Sequence, residues 1–381
     1  MTIRNWVLRI GLTTVSAVAA MSAVQAADLV RETPPTPPVV VAQGYGWTGF
    51  YLGIGGGAGA IVHKLSSNFG PLINQGATGT ASLNGIGGEG IFGEVTAGYD
   101  YMMTDRLLVG AFADARLGNI GPELDVPGGK ITGEADYGFD VGARVGYLVT
   151  PTSLVYVLGG YSWQHFHLSS DPSGLVDIKH NSSGFIAGVG LETALRGNWS
   201  LKTEYRYAQY ASYGFIPNGL LDDEPSSHTF HVALDYRFGG HGHPATFAAP
   251  IHNWTGLYVG GGIGAGALVH KLTTDFIPGL GFTGLGGEGV LGEATVGYDH
   301  EVSNNFVVGI LADVRGSSMS SDLNANYSDP TPNSFSGSAS VKADYGFDVL
   351  ARLGYKVDNS TLAYVLGGYS WQHFKLDAQY S

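Results

Sequence analysis

The chain has 381 residues and no cysteine, and it carries a formal net charge of −13 although only 13% of its residues are charged. The lack of cysteine excludes disulfides and thiolate metal sites. The acidic excess argues against a nucleic-acid partner, which needs a basic surface. The 60 glycines, roughly twice the usual ~7% share, disfavour helices and suit the crowded wall of a barrel.

The N-terminus predicts an export signal at residues 1–26. Arg4 and Arg9 precede an apolar, uncharged stretch at residues 10–24, and the tripeptide that ends at Ala26 fits the small-residue cleavage pattern. This stretch of about 15 residues is shorter than the roughly 20 that a transmembrane helix needs. No later stretch is apolar enough over such a length, so any membrane crossing has to be made by strands.

A Pro-rich lead at residues 27–44 favours polyproline II structure and is expected to be a periplasmic spacer. Residues 45–239 then contain eight predicted strands. They are commonly 12 residues or longer, against the usual five or six of a globular sheet. The predicted strands are Trp47–His63, Glu89–Met103, Arg106–Ile120, Thr132–Val149, Ser153–Ser169, Ser182–Leu195, Trp199–Tyr210 and Ser227–Phe238.

The fourth of these strands shows the pattern most clearly. From Tyr137 to Val149 every second residue is apolar or aromatic, and the residues between them are Gly, Asp and Arg, apart from Leu148. This period of two is that of an extended strand. The aromatic residues Tyr137 and Tyr147 near the ends of the apolar face are typical of a strand that crosses a bilayer, since Tyr and Trp favour the boundary between hydrocarbon and water.

The predicted connections alternate between short and long. Short connections on one side and long polar ones on the other are typical of outer-membrane barrels, whose short turns lie in the periplasm. The short turns are 104–105, 150–152 and 196–198, and the long connections are 64–88, 121–131, 170–181 and 211–226. The sequence therefore predicts an all-β fold, a transmembrane antiparallel up-and-down β-barrel with an even number of strands.

Residues 240–252 are the predicted linker to a second, incomplete repeat at 253–381. The repeat opens with Trp254-Thr255-Gly256, as the first opens with Trp47-Thr48-Gly49, and it predicts about five strands near 254–270, 288–302, 305–319, 340–357 and 361–377. Five strands leave an open edge, which lipid does not tolerate. Either the sequence is a fragment of a longer protein or partner strands come from elsewhere, and the first alternative is favoured.

The face opposite the apolar one carries charges in nearly every strand of the first repeat. The interior of an eight-stranded barrel is just wide enough for side chains to fill it. Opposite charges there neutralise each other, so a structural network is preferred over catalysis. The predicted network comprises Glu94, Asp100, Asp114, Arg116, Glu134, Asp136, Asp140, Arg144, Glu192, Lys202, Glu204, Arg206, Asp235 and Arg237. The second repeat has Lys342 in place of Glu134, which supports a structural role for that residue.

Several histidines are candidate site residues. His165 and His167 share a strand face, but only His165 recurs in the second repeat, and no Gly-x-Ser-x-Gly context accompanies them. His228 and His231 are three residues apart on one strand and so face opposite sides. The pair His241 and His243 has no evident third metal ligand and is interpreted as ordinary linker. The sequence thus predicts no catalytic residue, no cofactor and no metal site.

The segment Trp47–Gly53 after an export signal and a Pro-containing lead, followed by Gly98-Tyr99-Asp100 and Gly146-Tyr147, resembles the small outer-membrane β-barrel proteins of alphaproteobacteria. These are often called the porin family and are similar in shape to OmpA- and OmpX-type barrels. The resemblance covers residues 45–238 fully and 253–377 partially. It implies an integral envelope protein with surface-exposed loops and no catalytic residues to carry over.

The sequence is compatible with three functions. The leading hypothesis is a structural and surface-interaction protein of the outer membrane of a Gram-negative bacterium. Its expected partners are outer-membrane lipid, the outer-membrane assembly machinery and an extracellular ligand bound through the loops, with no nucleic acid. The second is a diffusion porin, which requires both repeats to merge into one barrel of about 16 strands. The third is an outer-membrane enzyme that would use His165.

Overall fold

The computed structural model describes residues 45–69, 78–172, 176–216, 221–239, 247, 252–273, 281–328 and 334–380. The predicted export signal, the Pro-rich lead and most of the linker lie outside these residues. None of the described residues forms a helix with the length and apolarity that a membrane crossing requires. The strands are β1 Gly49–Asn68, β2 Thr78–Met102, β3 Leu107–Ile120, β4 Glu123–Val126, β5 Gly129–Thr150, β6 Ser153–Asp171, β7 Asp177–Ala194, β8 Trp199–Tyr210, β9 Tyr213–Ile216, β10 Leu221–Phe238, β11 Gly256–Thr273, β12 Gly281–Glu301, β13 Phe306–Ser328, β14 Ser334–Lys356 and β15 Leu362–Tyr380.

The first set of strands closes into a ring, which we call the first barrel. Its antiparallel neighbours follow the order β1, β2, β3, β5, β6, β7, β8 and β10. The ring is closed by β10 and β1, which pair from Phe50–Phe238 to Ser66–Asp222. Both sides of β1 are therefore hydrogen-bonded, as a strand in lipid requires. The predicted antiparallel all-β fold class is confirmed, and the barrel closes without strands from the second repeat.

A run of glycines in β1 allows this closure to be tight. A Cβ built on Gly57 would lie 1.9 Å from the carbonyl oxygen of Phe230, and one built on Gly55 would lie 2.4 Å from that of Val232. Side chains at these positions would push β1 away from β10. The glycine run therefore serves close packing of the barrel wall.

The side chains of the barrel are arranged with apolar groups outside and charged groups inside. In β5 the outward Val141 is 49% exposed, whereas the inward Asp140 and Arg144 are 1% and 2% exposed. Large apolar side chains on the outside of β1 and β2, such as Phe50 and Ile91, are exposed as well. Such a surface is unfavourable in water and matches the lipid-facing band of a membrane barrel.

The strands extend further on the long-loop side than the sequence predicts. Strand β2 begins at Thr78, whereas its predicted start is position 89. The short strands β4 and β9 lie within predicted loops. The extension of β2 at residues 78–88 consists largely of Ser, Thr, Asn and Gly and lacks the hydrophobic alternation on which the prediction relied. The short turns lie where they are predicted, and Gly197 in the last of them has a φ of +70°.

Strands β11 to β15 pair in chain order and form an open antiparallel sheet, which we call the second sheet. Its outermost strands, β11 and β15, have one paired neighbour each within the described residues. The second sheet is joined to the first barrel on the long-loop side. There β13 pairs with β2 from Asp322–Asn84 to Ser328–Thr78, and β12 pairs with β4.

Corresponding residues of the two repeats meet at this junction. Ile86 of β2 pairs with its counterpart Leu285 of β12. Beside this pair Gly87 and Gly286 are in close contact, because a Cβ built on Gly87 would lie 2.9 Å from the Cα of Gly286. A small apolar cluster packs next to them and consists of Ala60, Val62, Ala267 and Val269.

We expect the substitution Gly87→Val to separate the second sheet from the first barrel, because the new side chain would meet the backbone of Gly286. The chain has no cysteine, so a disulfide introduced between Asn84→Cys and Asp322→Cys reports the junction directly. Its yield should fall several-fold in the Gly87→Val background. The matched control is Gly93→Val, since a Cβ on Gly93 would meet nothing closer than 3.9 Å. Equal yields in the two backgrounds would contradict the glycine contact.

Candidate functional site

The first barrel contains a group of ion pairs near its short turns, which we call the turn-side cluster. Arg144 binds Asp100 through Nη2 at 2.5 Å and Glu192 through Nη1 at 2.9 Å. Arg237 binds the same two carboxylates at 2.8 and 3.3 Å. Two arginines and two carboxylates thus neutralise each other, which a buried charge needs in order to be tolerated.

Aromatic rings surround the turn-side cluster. The guanidinium carbon of Arg144 lies 5.0 Å from the ring centre of Tyr51 and 4.8 Å from that of Tyr156. Both distances are within the range of cation–π attraction. The Tyr156 hydroxyl donates a hydrogen bond of 2.5 Å to Glu204, which links the cluster to a second group of charges.

This second group, the loop-side cluster, is organised by Arg206. The guanidinium of Arg206 reaches Asp114 at 2.6 Å, Asp140 at 3.0 Å and Glu204 at 2.6 Å. Arg116 binds Asp140 at 2.7 Å from the other side. Each carboxylate here has a cation within hydrogen-bond distance, so the arrangement is that of a structural network.

Three more residues of the predicted network are buried in the barrel interior. Lys202 and Asp235 are buried and 3.6 Å apart, and Glu94 is buried against His231 Nδ1 at 2.7 Å. The predicted network did not include His231, although its inward position could be deduced from the strand period.

Glu134 and Asp136, which were predicted to belong to the interior network, lie outside the two buried clusters. Glu134 is half-buried and has no ion pair within the described part of the chain, whereas Asp136 pairs with His165 at 2.7 Å. The cause is an irregularity in the pairing of β5 with β6 between Ala135 and Tyr137. It interrupts the alternation on which the prediction relied.

The turn-side end of the barrel is blocked by aromatic residues that precede β1. Trp47 is 2% exposed and its indole donates a hydrogen bond to the Pro151 carbonyl at 3.0 Å. Arg237 donates to the Trp47 carbonyl at 2.7 Å, and the Tyr45 hydroxyl accepts from Arg237 at 3.3 Å.

A cavity beside Arg116 has a volume of about 20 Å³, enough for about one water molecule.

The pair formed by His165 and Asp136 recurs as His373 and Asp344, also at 2.7 Å. The hydroxyl of Ser162, on the same strand as His165, accepts a hydrogen bond from Arg116 at 3.2 Å. A hydrolytic site would need a nucleophile aligned with the imidazole of His165. Among the described residues no group of three or more His, Asp or Glu side chains could hold a metal ion.

The two repeats also touch at their short turns. The Thr152 hydroxyl donates to Asp358 at 2.5 Å, and the hydroxyls of Ser153 and Thr361 are 2.9 Å apart. Burial raises the pKa of Asp358, but hydrogen bonds from Thr152 and Ser360 outweigh this effect and hold the pKa below its ordinary value. The carboxylate is therefore an ionised acceptor at neutral pH.

The chain matches a family model described as the outer membrane protein beta-barrel domain over residues 13–238. It is 31% identical to the 31 kDa outer-membrane immunogenic protein of Brucella melitensis, over 60% of this chain and 98% of that protein. It is 29% identical to the 25 kDa outer-membrane immunogenic protein of the same organism, over 56% of this chain and 90% of that protein.

Solved structures similar to this chain include Neisserial surface protein A, with 18% identity, a TM-score of 0.30 and coverage of 50% of this chain and 98% of that one. Another is Ail, the attachment invasion locus protein of Yersinia pestis, with 12% identity, a TM-score of 0.27 and coverage of 48% and 99%. The family match and the Brucella relatives place the protein in the outer membrane of a Gram-negative bacterium. The chain belongs to the family of outer-membrane proteins built on this β-barrel domain.

Proposed function

We propose that the protein is a structural and surface-interaction protein, in which the barrel anchors loops that contact the outside of the cell. The observation that carries this proposal is the filled interior of the first barrel. Neutralised ion pairs occupy its axis, and Trp47 with Tyr45 blocks its turn-side end. Such a barrel serves as an anchor and offers no wide water path.

The long-loop side supports the same proposal. Polar strand extensions of the first barrel and the second sheet are joined there by the pairing of β2 with β13 and of β4 with β12. Backbone pairing would hold these segments as one continuous surface. The names of the Brucella relatives describe those proteins as immunogenic, which agrees with exposure of such loops.

The diffusion-porin alternative is less favoured. A merged barrel would require β1 and β10 to separate so that the second sheet could be inserted between them. These strands are paired along their length, and the interior charges His231 and Arg237 of β10 are already neutralised within the first barrel by Glu94 and Asp100. We therefore expect the purified protein to give no steady current of porin size in planar lipid bilayers.

A labelling experiment tests the orientation of the loops. In intact cells a membrane-impermeant maleimide should label Pro127→Cys, in the hairpin between β4 and β5, but not Asn198→Cys, in the short turn between β7 and β8. Both positions are exposed in the structure, so permeabilised cells should label both. Labelling of Asn198→Cys alone in intact cells would overturn the proposed orientation. A steady porin-sized current would overturn the anchoring role.

A further inference from the structure

The two repeats exchange pairing partners on the loop side. Residues 82–89 and 281–288 are counterparts, since both segments end in Gly-Gly-Glu, and residues 107–125 align with residues 306–324 without a gap. The loop-side end of β2 pairs with β13 of the second repeat, and the loop-side end of β12 pairs with β4 of the first repeat. Each repeat therefore gives the end of one strand to the other.

The two exchanged pairings have the same register. Asn84 pairs with Asp322, and their counterparts Thr283 and Glu123 pair with each other. The next equivalent pairs are Leu83–Leu323 with Phe282–Leu124, and Ser82–Asn324 with Gly281–Asp125. Contacts that recur when the two partners are interchanged define an isologous interface, in which both partners use the same surface.

Counterpart residues also meet each other at both ends of the barrel. On the loop side Ile86 pairs with Leu285. On the turn side the hydroxyls of Ser153 and Thr361, which begin the matching segments 153–166 and 361–374, are 2.9 Å apart. A residue meets its own counterpart on the two-fold axis of an isologous pair. Two such points at opposite ends place the axis along the barrel, so both repeats have their loops on the same side, as two barrels in one membrane require.

Small and apolar groups allow the repeats to approach closely at the axis. A Cβ built on Gly87 would lie 2.9 Å from the Cα of Gly286, and a Cβ built on Gly286 would lie 2.7 Å from the Cα of Gly87. Beside them the buried side chains Ala60 and Val62 pack with their counterparts, Ala267 and Val269. Burial of apolar surface favours the contact, and each repeat supplies the same kind of surface to it.

The loop-side end of β2 has an alternative partner within its own repeat. The register of β2 with β3 continues through Glu89–Gly121 and, if extended, would place Ile86 opposite Leu124 of β4. In the structure Leu124 pairs instead with Phe282 of the second repeat. Equivalent segments of the two repeats thus compete for the same strand, which is the condition for domain swapping between copies of a protein.

We propose that this loop-side face of the first barrel is a homotypic docking surface, whose occupant is another unit of the same sequence. In the full chain the second repeat occupies it. The short linker at residues 240–252 holds that repeat at an effective concentration on the order of millimolar, which favours exchange within one chain over exchange between chains. Without the second repeat, two first barrels dimerise through the same face, with Ile86 of one copy opposite Ile86 of the other. The proposal stands apart from the surface role, because it concerns how barrels associate with each other.

Single cysteines on the axis test the proposal, because the native chain has none. The first barrel closes without strands from the second repeat, so it is prepared alone as residues 27–239 and folded into lipid vesicles. Under mild oxidation Ile86→Cys and Ser153→Cys should each give a disulfide-linked dimer in most molecules. The matched controls are Ile91→Cys, farther along the same strand, and Asn198→Cys, in another short turn. Both control positions are exposed but lie off the axis, so their dimer yields should be several-fold lower.

The full chain supplies a second comparison. Ile86→Cys together with Leu285→Cys should form a disulfide within one chain. Ile86→Cys alone should give several-fold less dimer in the full chain than in the first barrel, because the second repeat covers the face.

The glycine contact supplies a third comparison. In the first barrel Gly87→Val should lower the dimer yield of Ile86→Cys several-fold, since two new side chains would meet at the axis. Gly93→Val should not, because a Cβ on Gly93 would meet nothing closer than 3.9 Å. Heat-dependent electrophoretic mobility verifies that the barrel is folded in every variant.

Three results would overturn the proposal. In the first, folded first barrels with Ile86→Cys dimerise no more than those with Ile91→Cys; a disulfide between Ile86→Cys and Leu124→Cys within one barrel would then identify β4 as the partner. In the second, Gly87→Val and Gly93→Val give the same dimer yield. In the third, the full chain with Ile86→Cys dimerises as readily as the first barrel alone, so that the second repeat and a second copy do not share one face.

Discussion

Replacement of Arg144 with alanine should lower the free energy of unfolding of the first barrel by about 3–5 kcal/mol, the cost typical of breaking a buried ion pair. Arg144 is 2% exposed and binds both Asp100 and Glu192. Without it, the two carboxylates would share Arg237 in a water-poor interior. Urea unfolding in lipid vesicles, followed by electrophoretic mobility, measures the loss.

The chain contains its own control for this experiment. Arg352 is the counterpart of Arg144, but its side chain is 10% exposed and binds one carboxylate, that of Asp299. Arg352→Ala should therefore cost clearly less than Arg144→Ala. Equal losses of unfolding free energy in the two variants would show that burial and pairing with two carboxylates do not determine how much an arginine stabilises the fold.

The second large effect is expected on the outer surface. Val141 faces outward about midway between Tyr137 and Tyr147, and its replacement by arginine should cost about 2–4 kcal/mol because the charge would lie near the bilayer midplane. Val149 lies on the same face beyond Tyr147, where the cost should fall to about 0–1 kcal/mol. Unfolding in vesicles of defined lipid gives both values. A cost that does not depend on depth would contradict the lipid-facing assignment.

Much of the barrel could be predicted from the strand period alone. Alternation in β5 places Val141 outward and Asp140 and Arg144 inward, and the structure agrees. The same alternation identifies most of the charges that later meet on the axis. A pattern of period two carries this information because one face contacts lipid and the other contacts the opposite wall.

Other features depended on contacts that no local pattern encodes. At the irregularity between Ala135 and Tyr137, Asp136 is half-buried and pairs with His165, and residues 78–88 extend β2 although they lack apolar alternation. The junction of Ile86 with Leu285 depends on strands nearly 200 residues apart. Sequence self-similarity indicated two repeats but not that their corresponding residues would touch.

The alternation in β5 also has a consequence for export. A polypeptide on its way out of the cell must pass the inner membrane, where about 20 consecutive apolar residues would be retained as a helix. Because Asp, Arg or Gly separates the apolar residues over most of this strand, no such stretch forms while the chain is unfolded. A continuous apolar surface therefore forms only when the chain folds. This allows the unfolded chain to cross the inner membrane and the folded barrel to remain in the outer membrane.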